Sequence, residues 1–162
     1  MIEADASVTF DLAGGTAGIV TDWPRAETPW LALDRDGDGR ISDGRELFGS
    51  GTRLSTGARA KHGFEALAEL DADRNGVVDA ADPGFASLAL WSDLDGDRAT
   101  DEHELASLGG NPRRIVAIDL GYRVEARCDA RGNCGVERAT FRWEDERGMH
   151  DGEVIDVHLR RR

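Results

Sequence analysis

Alternate positions of one short stretch carry three carboxylates, Asp34, Asp36 and Asp38, and Gly39 follows at once. Carboxylates crowded in this way repel one another unless a cation lies among them. The spacing is that of positions 1, 3 and 5 of an EF-hand calcium loop, in which position 6 is glycine because the backbone turns there with a positive φ. The backbone carbonyl of Arg40, at position 7, would be a further ligand. We therefore expect a calcium site, the alternative being an acidic turn exposed to solvent.

The end of this first loop departs from the usual pattern. Position 12, an acid in the usual loop, is Arg45 here, and the acid Glu46 comes one residue later. Either the loop is one residue longer or it closes differently. The apolar residue at position 8, Ile41, is expected to point into the core and anchor the loop.

Two further copies of the pattern follow, and the repetition strengthens the prediction. The second copy has oxygen-bearing side chains at positions 1, 3, 5, 9 and 12, which are Asp71, Asp73, Asn75, Asp79 and Asp82. The third has them at the same positions, which are Asp93, Asp95, Asp97, Asp101 and Glu104. Position 7 offers the carbonyl of Val77 in one loop and of Ala99 in the other. Position 6 is Gly76 in the second loop, but Arg98 in the third predicts left-handed strain or a different turn.

The composition limits the class of partner. The chain has 162 residues and a net charge of −12, and 15 of its 32 Asp and Glu side chains lie in the three loops. A chain this acidic is not expected to bind nucleic acid or an anionic membrane. Much of the acidity would instead supply ligands for up to three Ca²⁺ ions. The length favours a single domain over residues 1–162, with a calcium-loop region at 31–108.

Two features bear on the cellular compartment. No apolar run is long enough to span a membrane, and the first five residues do not resemble a signal peptide, so an export signal would be absent from this sequence. Cys128 and Cys134 are the only cysteines, and their spacing is not that of a zinc site. A disulfide across a turn is the preferred interpretation and would imply an oxidising compartment. Two reduced thiols are the alternative.

Periodicity predicts an α+β fold in which short helices around the EF-hand-like loops pack against an antiparallel sheet. The apolar residues of 61–70 have helical spacing, and Thr100 is expected to cap a second helix over 101–108. Pro83 is suited to the first turn of a further helix, and 88–91 is either a short buried strand or a helix end.

Strands are expected at both ends of the chain. Alternation of apolar and polar residues predicts strands within 7–23, with a turn at Gly14, Gly15 and Thr16. In the region 114–160 it predicts three strands, joined by turns at 129–133 and 144–152, that form an antiparallel meander.

The order of these motifs resembles the EF-hand-like calcium modules of RTX-type secreted bacterial proteins, including the self-processing module of iron-regulated RTX proteins. The likeness covers about residues 5–121. It rests on the first loop with its late acid, and on the segments Gly63–Leu67, Leu70–Gly76, Ala81–Phe85 and Leu88–Trp91. In that family the late acid of the first loop recurs, which implies that Glu46 is a ligand.

The resemblance also implies a reaction. Self-processing members cleave an Asp-Pro bond just ahead of the module, whereas the one Asp-Pro pair here, Asp82-Pro83, lies inside the second loop. Cleavage there would destroy a calcium site, so we interpret Asp82 as a ligand and Pro83 as a helix start. Lys61 is the only lysine that could receive a transferred acyl group.

We therefore expect a monomeric, non-enzymatic calcium-binding module of an exported bacterial protein, secreted, periplasmic or on the cell surface, that the ion folds or rigidifies. One alternative is calcium-dependent self-processing at an Asp-Pro bond. Another is calcium-dependent binding of a protein or cell-surface partner, as in dockerin or adhesin modules. No classical active site is indicated, because the four histidines are scattered and expected at the surface; they are His62, His103, His150 and His158.

Overall fold

The computed structural model describes residues 2–3, 8–15, 18–110 and 113–161. In these ranges strands predominate. They are β1 (Ile2–Glu3), β2 (Trp23–Pro24), β3 (Trp30–Leu33), β4 (Val77–Asp79), β5 (Leu88–Trp91), β6 (Leu105–Ser107), β7 (Arg114–Asp119), β8 (Arg123–Cys128), β9 (Cys134–Asp145) and β10 (Gly148–His158). A short helix α1 (Gly63–Leu67) continues into a 3₁₀ turn at Ala68–Leu70, and a second 3₁₀ turn covers Phe85–Ser87.

The protein is therefore mostly β, and the expected α+β class, with short helices around the loops, is wrong. The helix expected over 61–70 does form, as α1 and the 3₁₀ turn that follows it. The helix expected over 101–108 does not, because Leu105–Ser107 pairs with β5 as an antiparallel strand. After Pro83 the chain makes only a 3₁₀ turn before it enters β5.

The larger, five-stranded sheet consists of β4 and the C-terminal strands β7 to β10, with β8, β9 and β10 in the expected antiparallel meander. The twelve-residue β9 pairs with β10 on one edge, and on the other edge with β8 near its start and β7 near its end. The turn between β9 and β10 is tighter than expected, since Asp145 already pairs with Gly148.

A disulfide joins Cys128 to Cys134, directly opposite residues of β8 and β9, which confirms that prediction. The turn that the disulfide closes contacts the N-terminal segment. The side-chain amide of Asn133, in this turn, donates a hydrogen bond to the buried Asp22 carboxylate at 2.7 Å.

Each candidate loop is attached to a sheet. The first loop follows β3, and the third connects β5 to β6. These three strands form a three-stranded sheet in the order β3-β5-β6, called the smaller sheet below, beside the two-stranded pair of β1 and β2. The second loop contains β4 at its positions 7 to 9, and β4 pairs with β7 of the larger sheet. The residue before the loop donates its backbone N–H to the closing acid's carbonyl in two cases: Leu33 to Glu46 at 2.8 Å, and Ser92 to Glu104 at 2.9 Å.

The N-terminal segment is less regular than expected. In place of the strands predicted within 7–23, the structure has β2 and isolated bridges, one of which joins Phe10 to Ile19. The Asp11 carboxylate accepts the backbone N–H groups of the next turn, which folds the chain back on itself. Ser7 and Thr16, which belonged to the predicted strand and turn, lie outside the described residues.

Two hydrophobic clusters hold these parts together. One combines the N-terminal segment with the smaller sheet and the first loop: Phe10, Trp23, Ala32, Ile41, Leu47 and Trp91. The other lies between the two sheets and α1: Leu67, Val78, Leu88, Leu108, Ile115 and Ile118. In the described part of the chain, no helix is long and apolar enough to cross a membrane.

Candidate metal centres

The first residue of each loop has the same role in all three. Asp34, Asp71 and Asp93 each accept two backbone N–H groups, one per carboxylate oxygen, and one donor is always position 6. The donors are, in chain order, Gly37 and Gly39 (2.7 and 2.8 Å), Asn75 and Gly76 (3.1 and 2.9 Å), and Gly96 and Arg98 (2.9 and 3.1 Å). These bonds wrap the backbone around the carboxylate at position 1.

Positions 3 and 5 bend the chain further. The side chain at position 3 accepts the N–H of position 5, and the oxygen at position 5 accepts the N–H of position 7, at 2.8 to 3.2 Å in all three loops. The residues are Asp36, Asp38 and Arg40 in the first loop, Asp73, Asn75 and Val77 in the second, and Asp95, Asp97 and Ala99 in the third. Asx turns of this kind are short-range, so each loop forms them from its own sequence.

The closing acids bind the loop at the same two points. Glu46, Asp82 and Glu104 each accept the N–H of position 2 on one oxygen and that of position 9 on the other, at 2.6 to 3.1 Å. Glu46 does this from position 13, so the first loop accommodates one extra residue and keeps the same closure. A carboxylate oxygen that accepts one N–H retains a lone pair for a cation.

Positions 4 and 6 are left-handed in every loop. They are Gly37 and Gly39 in the first, Arg74 and Gly76 in the second, and Gly96 and Arg98 in the third, with φ between +59° and +84°. Arg74 and Arg98 are the only non-glycine residues with positive φ among the described ones. The left-handed conformation expected at Arg98 is therefore present, whereas the need for it at position 4 was missed, although glycine stands there in two loops.

The Arg98 side chain turns away from its loop into the core. It is buried, and its guanidinium donates to the carbonyls of Val8 and of Thr21, the latter at 2.8 Å. The same group lies over the Trp23 ring at 5.1 Å. The third loop is thus connected to the N-terminal segment by a residue whose own N–H donates to Asp93.

The residues at position 8 anchor the loops. Ile41, Val78 and Thr100 are all buried. The Thr100 hydroxyl accepts the N–H of Ile41 at 2.9 Å and donates to its carbonyl at 3.2 Å, so the first and third loops meet at equivalent positions. Thr100 therefore caps no helix, and its hydroxyl joins two loops.

Each loop brings three carboxylates together. Each set places one oxygen per residue within 4.8 Å of the others, and the sets are Asp34, Asp36 and Glu46; Asp71, Asp73 and Asp82; and Asp93, Asp95 and Glu104. Asp38 and Asp97 fall outside these compact sets. Within the described part of the chain, none of the nine carboxylates forms an ion pair with Lys or Arg.

The electrostatics differ between loops. The N–H of Gly39 holds the pKa of Asp34 below its usual value, and the N–H of Asp79 does the same for the pKa of Asp82. Burial raises the pKa of Asp93. Without a cation, negative charge is therefore less favourable on Asp93 than on Asp34 or Asp82.

Comparison with known proteins supports the resemblance to iron-regulated proteins that the order of the motifs indicated. A family profile described as SPM domain matches residues 1–160. The chain is also similar to Iron-regulated protein FrpA of Neisseria meningitidis serogroup C, with 33% identity over 150 residues. The matched stretch is 93% of this chain but 13% of that relative, so the chain corresponds to a small part of the longer protein.

Proposed function

This chain belongs to the SPM domain family, and we propose that it is a calcium-binding module of an exported bacterial protein, stabilised by the ion and without enzymatic activity of its own. The observation that carries the proposal is the set of three carboxylates in each loop. Like charges within 4.8 Å of one another and without an ion pair to Lys or Arg favour the binding of a cation that offsets their repulsion.

The donor chemistry favours calcium over other divalent ions. Every candidate ligand in the loops is an oxygen, which suits a hard cation. In the first loop these would be the side chains of Asp34, Asp36, Asp38 and Glu46, with the carbonyl of Arg40. In the second they would be Asp71, Asp73, Asn75 and Asp82 with the carbonyl of Val77, and in the third Asp93, Asp95, Asp97 and Glu104 with that of Ala99. Magnesium demands a stricter octahedron of six ligands and gives up its water reluctantly.

Stabilisation would follow from linkage. An ion that binds the folded loops and not the unfolded chain contributes about 2.7 kcal/mol per site at ~100 times its dissociation constant. Three such sites would add about 8 kcal/mol, which is comparable to the whole stability of a typical domain. The module would therefore be loosely folded where calcium is scarce and firmly folded where it is abundant.

Thermal unfolding in millimolar calcium and in chelator tests the proposal. For a chain of this size, about 8 kcal/mol corresponds to a rise in Tm of about 16 to 30 °C. An equal Tm in both conditions would refute the proposal. Magnesium in place of calcium should give a much smaller rise.

A matched pair of triple variants shows where the ion acts. Replacing the closing acids, as Glu46→Gln, Asp82→Asn and Glu104→Gln, should remove most of the calcium response. The control changes three exposed acids outside the loops to the same amides: Glu27→Gln, Glu146→Gln and Asp151→Asn. It should keep the response, because the net charge changes equally but the ligands remain.

The disulfide supports the proposed location. Cys128 and Cys134 are bonded to each other, and disulfides persist in oxidising compartments such as the periplasm and the exterior. An exported parent protein would meet abundant calcium in the same places. Immunoblotting of cell fractions for the full-length parent protein tests this location, and retention in the cytoplasm would contradict it.

The resemblance to self-processing modules supplies one alternative, calcium-dependent cleavage at Asp82-Pro83. In that reaction the Asp82 carboxylate would attack its own backbone carbonyl, break the bond to the Pro83 nitrogen, which leaves with a proton, and form a cyclic anhydride; water or the Lys61 amine would then open the anhydride. The hydrogen bonds of Asp82 favour the role of metal ligand over that of nucleophile, because the backbone N–H groups of Ala72 and Asp79 already hold both carboxylate oxygens in the loop. Mass spectrometry after incubation with calcium decides the matter: fragments ending at Asp82 would establish cleavage, and an intact chain would exclude it.

A further inference from the structure

A group of potential metal ligands of a different kind lies away from the loops, near the start of β9 and the end of β10. Glu137 of β9 and Asp156 and His158 of β10 each place one ligand atom within 4.8 Å of the other two. We propose that these three side chains bind one divalent transition-metal ion of the zinc class. The proposal is independent of the calcium loops, because it uses none of their residues.

A β-bulge creates this arrangement. Along β9 and β10 the register shifts between the pairs Ile155–Arg138 and Val157–Gly135, so that Asp156 faces two residues of β9, one of which is Glu137. Asp156 and His158 stand two residues apart on one strand and therefore share a face. Bulges commonly redirect a side chain toward a functional site, and this one brings Glu137 to the face that carries the other two.

The distances suit a small metal ion. The Nε2 atom of His158 lies 3.1 Å from Oε2 of Glu137 and 4.0 Å from Oδ2 of Asp156. Ligands about 2.0 to 2.1 Å from a tetrahedral zinc ion are roughly 3.3 Å apart. The observed separations bracket that value.

Both carboxylates lie in poorly solvated surroundings. Each side chain is only 12% exposed, and burial raises the pKa of Asp156, with the neighbouring Glu137 adding to the effect. The other groups that face Asp156 are the N–H of Gly63, which donates at 2.6 Å, and the imidazole of His62. Both ring nitrogens of His62 have other hydrogen-bond partners: one accepts the backbone N–H of Glu65, and the other is hydrogen-bonded to the Tyr122 hydroxyl.

The donor set distinguishes this site from the calcium loops. One imidazole nitrogen with two carboxylates suits zinc and its neighbours, whereas calcium takes oxygen alone. Three protein ligands leave a coordination position open. Asp156 and His158 also line a cleft of about 560 Å³, together with Lys61 and His62, which gives the ion a path from solvent.

Calorimetric titration with Zn²⁺ in saturating calcium tests the proposal, because calcium then occupies the loops. We expect saturable binding of one zinc ion per chain. His158→Gln and Glu137→Gln should each weaken it at least tenfold. The matched control is His150→Gln, since His150 pairs with one carboxylate, Asp145, at 3.0 Å and belongs to no group of three potential ligands among the described residues.

Each result of this titration is decisive. The melting temperature in calcium establishes whether each variant is folded, and if one of the two site variants is not, the other is used for the comparison. A site that only pairs a protonated histidine with acids gives no saturable zinc binding, and that result would overturn the proposal. So would an equal zinc affinity in His158→Gln and the unmodified chain.

Discussion

The two arginines with left-handed backbone provide a sharp test of how the loops are built. Arg74 and Arg98 have nearly the same φ, +61° and +59°, at positions 4 and 6 of two loops. Arg74 is exposed, and in the described part of the chain its side chain forms no hydrogen bond or ion pair. The Arg98 guanidinium is buried and bonded to two backbone carbonyls. We predict that replacement by glycine has opposite effects at the two positions.

The magnitudes follow from the contacts that each residue makes. A left-handed conformation costs a non-glycine residue about 1 to 2 kcal/mol, and glycine returns about 0.5 to 1 kcal/mol of this in the unfolded chain. Arg74→Gly should therefore gain about 0.5 kcal/mol. Arg98→Gly relieves the same strain but loses two hydrogen bonds from a charged donor, worth about 1.5 to 3 kcal/mol each, and a contact with the Trp23 ring. With the low end of these values, its net cost should be about 3 kcal/mol.

Thermal unfolding by circular dichroism in saturating calcium measures both changes. Arg74→Gly should leave Tm unchanged or raise it by about 1 to 2 °C, whereas Arg98→Gly should lower it by about 6 to 12 °C. Arg98→Lys should fall between, because it keeps the charge and loses the planar fork. If Arg98→Gly stabilised the protein as Arg74→Gly does, the buried guanidinium would contribute nothing to the link between the third loop and the N-terminal segment.

Three further predictions concern the loops and the disulfide. Thr100→Val removes the hydroxyl that joins the first and third loops, so it should lower the free energy of unfolding by about 1 to 2 kcal/mol and make the calcium affinities of these two loops independent of each other. A calorimetric isotherm identical to that of the unmodified protein would contradict this prediction. On acidification toward about pH 4, protons should displace calcium from the third loop before the first, because burial raises the pKa of Asp93 and backbone N–H groups lower that of Asp34. Trp91 fluorescence reports calcium loss from the third loop, and loss of calcium from both loops at the same pH would argue against these shifts. Replacing Cys128 and Cys134 by serine should cost about 2 kcal/mol without changing the calcium stoichiometry, and a lost site would show that the disulfide shapes a loop.

The loops were predictable from sequence because their geometry is local. In each Asx turn the side chain accepts the backbone N–H two residues later, so Asp36 and Asp38 bend the chain independently of the rest of the protein. The closure by Glu46 was harder to predict, because counting alone could not show that an acid at position 13 reaches the same two N–H groups. The family resemblance supplied that expectation.

The fold class was not predictable in the same way, since it depends on contacts between distant segments. Residues 101–108 have acids, a good cap and apolar residues, which favour a helix locally. Leu105 instead pairs with Trp91 of β5, and the hydroxyl of the expected cap, Thr100, bonds Ile41, 59 residues away. Likewise, Glu137 and Asp156 are 19 residues apart in sequence and meet only through a bulge, so inspection of scattered histidines did not indicate that group.

The central claim is that the three loops bind calcium. Calorimetric titration of the oxidised, calcium-stripped protein with calcium tests it most directly, because it counts the ions. We predict saturation at three ions per chain, falling to two when Glu104→Gln removes the closing acid of the third loop. An isotherm without saturable heat, from a chain that circular dichroism shows to be folded, would contradict the claim.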